Sequence, residues 1–211
     1  MSLAKTFAWV VLIPALPLSS PTLAAMDAPA EEVNPGEPIQ LELPFPCGER
    51  RTVSQAHGTF SHIGTDFWAW DFRADEGTLI LAARDGVVRL TRSDSTRGGC
   101  GRSFGPDANY VIIDHPDGLQ TQYLHFSRVF VHEGQAVKAG TVLGEVGHTG
   151  FSCGPHLHFQ LQRKGDGWVG QSVPAVFRSI GDPEVNQDVV SRNCQPAAPP
   201  ETSTVQATTR P

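Results

Sequence analysis

Leu157-His158-Phe159-Gln160-Leu161-Gln162 alternates apolar and polar residues with a period of two. Successive side chains of a β-strand point to opposite faces, so this stretch reads as a half-buried strand. Leu157, Phe159 and Leu161 share the face expected to be buried. His156 and His158 stand two apart and so share the other face, which is expected to look into a groove. Cys153-Gly154-Pro155 precedes the strand as a turn or loop.

Working outward, the neighbouring segments read the same way. Leu79 to Ala83 runs into Arg84-Asp85-Gly86 and then Val87-Val88-Arg89-Leu90, and Asp-Gly between apolar runs signals a hairpin. Tyr110-Val111-Ile112-Ile113, His115-Pro116-Asp117-Gly118 and Leu119 to Leu124 read as a second hairpin. Gly134, Gly140, Gly144 and Gly147 punctuate short apolar pieces, and no segment carries a long stripe of helical period. The content of 21 Gly and 17 Pro with only 18% charged residues favours a turn-rich β protein over a helical bundle. The expected fold is all-β: an antiparallel β sandwich or open barrel with Gly-rich loops. The formal net charge of -6 leaves no basic stripe to displace phosphate counterions, which argues against nucleic acid as a partner.

Residues 1–25 have the layout of a secretory signal peptide: Lys5 near the start, an apolar middle, and the small residues Ala24 and Ala25 at the cut. The apolar run is short and broken by proline, so no membrane span is expected after cleavage. The expected location is therefore outside the cytoplasm, periplasmic or secreted. Residues 26–45 read as an extended lead-in, 46–194 as one domain, and 195–211 as a disordered tail lacking large apolar residues. Export permits disulfides. Cys47, Cys100, Cys153 and Cys194 allow three pairings, and spacing alone does not choose among them. The pairing expected is Cys100 with Cys153, joining two loops, and Cys47 with Cys194, joining the two ends of the fold. No C-x-x-C pair is present to suggest a cysteine zinc site.

Three groups among the eight histidines carry candidate chemistry. The first is His156-Leu157-His158. The second is Ser61-His62-Ile63-Gly64-Thr65-Asp66-Phe67-Trp68-Ala69-Trp70-Asp71-Phe72, with one His and two carboxylates. The third is Tyr123-Leu124-His125. Each alone has a plain structural explanation, such as a surface pair, a core strand with aspartates in turns, or a strand-end histidine. Together they supply two His and one Asp, a ligand set that leaves the fourth position of a catalytic zinc open, with two further His beside it.

These residues resemble the lysostaphin-type (LytM-like) zinc metallopeptidases that cut cell-wall peptides. The resemblance covers about residues 43–180. It is carried by Ser61-His62 through Asp71-Phe72, Gly77-Thr78, Ala82-Ala83-Arg84-Asp85-Gly86-Val87-Val88, and Asn109-Tyr110-Val111-Ile112-Ile113-Asp114-His115. It continues through Tyr123-Leu124-His125, Gly134-Gln135-Ala136-Val137-Lys138-Ala139-Gly140, and Thr149-Gly150 to Gly154-Pro155-His156-Leu157-His158-Phe159. The resemblance implies His62, Asp71 and His158 as ligands of one Zn2+ and His125 with His156 as the catalytic pair. The common family form H-x-x-x-D nominates Asp66 instead. The offset from Asp71-Phe72 to Gly77-Thr78 keeps the family spacing, so Asp71 is preferred and Asp66 is the runner-up.

The activity so implied is that of an exported zinc-dependent metalloendopeptidase hydrolysing the stem or bridge peptides of peptidoglycan, with a possible partner in the cell-wall machinery. Two other readings use the same frame: a catalytically silent relative that activates another cell-wall hydrolase, and a zinc peptidase acting on proteins. All five positions are filled here, which favours an enzyme. Trp68, Trp70 and Tyr123 are candidates to line the groove, with burial the simpler expectation for at least one tryptophan. Gly147, Gly150 and Gly154 are expected to let backbone approach a bound peptide. His57, His115, His132 and His148 are expected to be solvated or structural, with a substrate contact the lesser expectation for His148.

Overall fold

The computed structural model describes residues 38–165 and 167–194. The expected signal peptide, most of the lead-in and the tail lie outside the described residues. Fifteen strands follow in chain order: β1 Gln40–Leu41, β2 Arg50–Gln55, β3 Trp70–Arg73, β4 Leu79–Leu81, β5 Gly86–Arg92, β6 Gly98–Gly99, β7 Tyr110–Asp114 and β8 Leu119–Leu124. The remainder are β9 Phe126–Val129, β10 Ala136–Val137, β11 Val142–Val146, β12 Gly150–Phe151, β13 His156–Arg163, β14 Val176–Phe177 and β15 Asp188–Val190. Among the described residues the helical content is two 3-10 turns, Gly64–Asp66 and Arg102–Asp107, and no helix is long and apolar enough to cross a membrane.

An eight-stranded sheet runs β10-β5-β7-β8-β13-β3-β2-β15, and every neighbour in it is antiparallel. A second antiparallel sheet, β4-β11-β9, supplies the other side of the core. Period-two patterning puts Trp70 and Phe72 of β3, Val111 and Ile113 of β7, Tyr123 of β8 and Leu157, Phe159 and Leu161 of β13 on one face. There they meet Ile80, Phe126, Leu143 and Val146 from the small sheet. Each such side chain contributes about 1.5–3 kcal/mol on burial. Leu41, Leu43 and Phe45, at the end of the stretch read as a lead-in, are buried in this core, and Phe45 meets Phe72 edge-on.

The second hairpin forms as expected: β7 and β8 pair from Tyr110–Leu124 to Asp114–Gln120, and Gly118 turns the chain at a φ of 79°. The first does not. β4 pairs with β11 and β5 with β7 and β10, so Asp85-Gly86 carries the chain from one sheet to the other. A tight two-residue hairpin of the primed types needs positive φ, which neither residue has. Asp85 instead accepts from Lys138 Nζ and Ala139 N, each at 2.8 Å. Gly86 is required for packing, because a Cβ there would lie 2.3 Å from the Asp114 carbonyl oxygen.

A second departure concerns β13, which is buried on both faces. Gln160 and Gln162 are fully buried along with the leucines. The chain after β13 folds back over them: the Trp168 carbonyl accepts from Gln122 and Gln162, and Gly170 N donates to Gln162. The Gln122 and Gln162 amides are thus paired with backbone and Gln160 Nε2 donates to Gln162 Oε1, which is what lets an alternating strand hide most of its polar side. Both disulfides have the expected pairing, Cys47–Cys194 and Cys100–Cys153.

Candidate metal centre and histidine pair

The centre forms on the polar face of the eight-stranded sheet, at the junction of β3 and β13. Register places Asp71 directly opposite His158. Both side chains therefore leave the sheet on one face, and Asp71 Oδ1 lies 3.0 Å from His158 Nδ1. His62 arrives from the loop after β2. That loop is pinned by Thr59 Oγ1 donating to the Ala56 carbonyl and by Gln55 Nε2 donating to Thr59 O and Ser61 Oγ. It brings His62 Nε2 to 3.1 Å from the same Asp71 oxygen. The potential donor atoms of His62, Asp71 and His158 all lie within 4.8 Å of one another, and all three residues are buried. Asp66 sits on the first 3-10 turn, at the edge of the cleft and outside this group.

The chemistry of this donor set suits a cation. His62 Nδ1 faces the Ala56 carbonyl at 3.1 Å, and a carbonyl only accepts, so Nδ1 carries the proton. A neutral His62 then turns the lone pair of Nε2 toward a carboxylate oxygen, two acceptors face to face. A metal ion among the three residues resolves that conflict, as would a second proton on His62. His158 Nε2 is also buried and lacks a hydrogen-bond partner. Burial opposes the charge on Asp71, but the imidazoles of His158, His62 and His156 gathered around it outweigh that, holding the carboxyl well below its usual range. Burial likewise opposes a charged His158, and its hydrogen bond and attraction to Asp71 raise it in spite of that.

His125 and His156 flank the group with ring centroids 4.5 Å apart. His125 follows β8 in a left-handed conformation, φ 72°, which costs energy for a residue with a Cβ. The surroundings hold it there: its N–H donates to Asn109 O, Gly147 N donates to its carbonyl, and its Nδ1 donates to Thr149 O at 2.7 Å. His156 Nδ1 lies 2.8 Å from Gly154 O, and its Nε2 is 3.6 Å from Asp71 Oδ2. Both rings therefore carry a proton on Nδ1, which leaves Nε2 as the proton-accepting atom when the ring is neutral. Burial, then the neighbouring His156 and His158, push His125 well below the usual histidine range, so it is neutral at neutral pH.

The five expected residues thus come together at one cleft of about 160 Å³. Its wall is not the one expected. Trp70 and Tyr123 are fully buried in the core, where Tyr123 Oη accepts from Ala83 N at 2.8 Å. Trp68 packs edge-on against His57. Trp168 lines the cleft instead, stacked on Tyr110 at 5.5 Å, together with Gln122, Leu124, Phe151 and Val169. The loop glycines also differ from expectation. A Cβ on Gly147 would meet Ser127 N at 2.4 Å and one on Gly150 would meet Ala108 at 2.6 Å, so these two serve chain packing, whereas Gly154 has open space. Asn109, Thr149, Ser152 and Trp168 were not singled out from sequence. A polar Asn109 or Thr149 beside an apolar strand is a faint signal, and Trp168 gives none.

A His–Asp–His cluster beside a histidine pair, on the polar face of an antiparallel sheet, defines a class of candidate metal-dependent hydrolase. Residues 66–169 match the model of Peptidase family M23. The chain is 38% identical over 104 residues to the peptidoglycan DD-endopeptidase ShyA of Vibrio cholerae, an alignment covering 49% of this chain and 21% of that protein. It is 37% identical over 117 residues to the DD-carboxypeptidase/endopeptidase Mpg of Neisseria meningitidis, covering 56% of this chain and 24% of that one. These alignments thus span about a fifth to a quarter of those relatives. Among solved structures, the catalytic domain of the prophage-encoded M23 protein EnpA from Enterococcus faecalis is 33% identical, with 58% of this chain and 87% of that one covered and a TM-score of 0.46. The chain belongs to peptidase family M23.

Proposed function

We propose that this protein is an exported zinc metalloendopeptidase that hydrolyses peptide cross-links of peptidoglycan. The observation that carries the reading is the convergence of His62, Asp71 and His158 with His125 and His156 on one cleft. A relative named as a peptidoglycan DD-endopeptidase and another named as a DD-carboxypeptidase/endopeptidase support the substrate class. The disulfides support export, because they persist in oxidising compartments. A signal peptide over 1–25, a domain over 46–194 whose core takes in Leu41, Leu43 and Phe45 of the lead-in, and a tail over 195–211 complete the proposed organisation.

In this reading His62, Asp71 and His158 hold the zinc. When bound, zinc polarises the scissile carbonyl and acidifies the attacking water toward a pKa of about 7. The rest falls to the chain. Nε2 of His156 or His125 takes the water proton, then passes a proton to the leaving amine. The imidazolium so formed donates from that Nε2 to the oxyanion that develops at the carbonyl before its proton leaves, while the Nε2 of the partner imidazole accepts from the attacking water and orients it. The Thr149 and Gly154 carbonyls keep both Nδ1 protons in place throughout. Trp168 and Val169 form a wall along which an extended peptide lies.

The test is digestion of purified peptidoglycan by the mature protein, following new free amines with and without a chelator, beside a His156→Ala control. Chelator-sensitive release that is lost in the control is expected. No release from several wall types by zinc-loaded protein would contradict the proposal and favour a regulatory module or a protein-directed peptidase.

A further inference from the structure

Ser152 lies at the centre of a contact chain that the reaction above leaves unused. It is 1% exposed, and its Oγ donates to the Gly154 carbonyl at 2.7 Å. That uses its one proton, so toward every other neighbour Oγ accepts. Two imidazoles supply the donors: His148 Nδ1 at 2.9 Å and His156 Nδ1 at 3.3 Å. His156 Nδ1–H is thus shared between Gly154 O and Ser152 Oγ, while the Ser152 hydroxyl also fixes the direction of that carbonyl. One buried hydroxyl is therefore itself one acceptor of the His156 proton and orders the other, and His148, which is not among the cleft-lining residues, closes the chain.

The loop bearing this chain is fastened from behind. Gly150 N donates to Arg97 O, Ser152 N donates to Gly99 O, and Cys153 is bonded to Cys100. The approach is close enough that a Cβ on Gly98 would lie 1.6 Å from the His148 carbonyl oxygen. Ser152 is therefore held on backbone fixed independently of the metal cluster.

We propose that Ser152, with His148 behind it, is a positioning residue for the hydrolysis: it holds the His156 ring with its proton on Nδ1 and its Nε2 toward the cleft. The inference rests on the proposed role of His156 in peptide hydrolysis.

Its test combines kinetics with ¹⁵N NMR of the histidine rings in the full-length mature protein, His156 being assigned with a His156→Gln variant. In the unsubstituted protein His156 shows a protonated Nδ1 and a bare Nε2. Ser152→Ala is expected to populate the other tautomer or average the two signals. It should lower kcat about 10- to 100-fold, the range for hydrogen-bond partners that orient a site histidine. KM and zinc content should stay within about twofold. His148→Phe, which keeps a ring and loses the donor, should lower kcat in the same way, and His148→Asn, which can place an N–H near Nδ1, should restore most of it. If Ser152→Ala does not fold, the His148 pair carries the test. Unchanged His156 signals in folded Ser152→Ala, or in His148→Phe where Ser152→Ala is unfolded, would overturn the proposal whether or not peptidoglycan is cut. So would a kcat loss in His148→Phe that His148→Asn fails to restore. A tautomer response in a protein that cuts no peptidoglycan would overturn the proposed reaction and leave the positioning intact.

Discussion

Asp71 and His158 are register partners on adjacent antiparallel strands, with Asp71 Oδ1 3.0 Å from His158 Nδ1. The pairing puts the carboxylate and the imidazole on one face of the sheet, whereas Asp66 is carried on a 3-10 turn. Asp71→Ala is therefore expected to lose stoichiometric zinc and at least about 100-fold in activity. Asp66→Ala should keep the metal. Zinc measured on the two purified variants checks this; retention in Asp71→Ala with loss in Asp66→Ala would reverse the assignment.

The two disulfides have different surroundings. Cys47–Cys194 closes the ends of the fold, 147 residues apart, while Cys100–Cys153 holds the loop of Ser152 and Gly154. Removing either is expected to cost about 2–5 kcal/mol. Cys47→Ser with Cys194→Ser should lower Tm and leave kcat at 25 °C unchanged. Cys100→Ser with Cys153→Ser should lower kcat as well. Thermal melts alongside steady-state kinetics separate the two, and equal kcat in both double variants would contradict the coupling.

His115 gives a pH dependence remote from the metal cluster. Burial, with Arg84 adding repulsion, pushes it down to about 4 despite a hydrogen bond to the Asp85 carbonyl. Above about pH 6.5 the ring is neutral in both folded and unfolded chains and has no linkage effect. As pH falls from about 6.5 to 4, the unfolded chain takes up the proton first and stability drops, by no more than about 3 kcal/mol. Urea midpoints across that window should fall less steeply for His115→Asn than for the unsubstituted protein. Parallel curves would contradict this.

Trp168, for which the sequence suggests no role, lines the cleft, and Trp70, a candidate to line it, is buried in the core. Trp168→Ala is expected to raise KM several-fold with little change in Tm, because it lines the cleft against Tyr110. Trp70→Ala should destabilise by about 3–5 kcal/mol, since that ring packs on Phe159 and Phe177 in the core. Kinetics and melts on the two variants decide it; an unchanged KM for Trp168→Ala would remove that residue from the substrate wall.

Much of this was legible where the signal is local. Alternation from Leu157 to Gln162 announces β13, and the turn at His115 to Gly118 announces its hairpin, because each depends on neighbours in sequence. Asp85-Gly86 misleads because the competing partners, Lys138 and Ala139, lie more than fifty residues away. The candidate metal residues were legible through the family spacing that favoured Asp71. The tryptophans were not, since composition does not say which face of β3 holds Trp70 or which loop returns over Gln162. Ser152 stayed hidden for the same reason: its part depends on the direction of three hydrogen bonds.

The most direct test of the central claim is an anomalous-difference map recorded at the zinc edge from crystals of the metal-loaded mature protein. The account predicts one strong peak enclosed by His62, Asp71 and His158, within bonding distance of all three and within reach of His125 and His156. A peak held through Asp66 instead of Asp71, or no peak at this cluster in protein that binds zinc elsewhere, would contradict it.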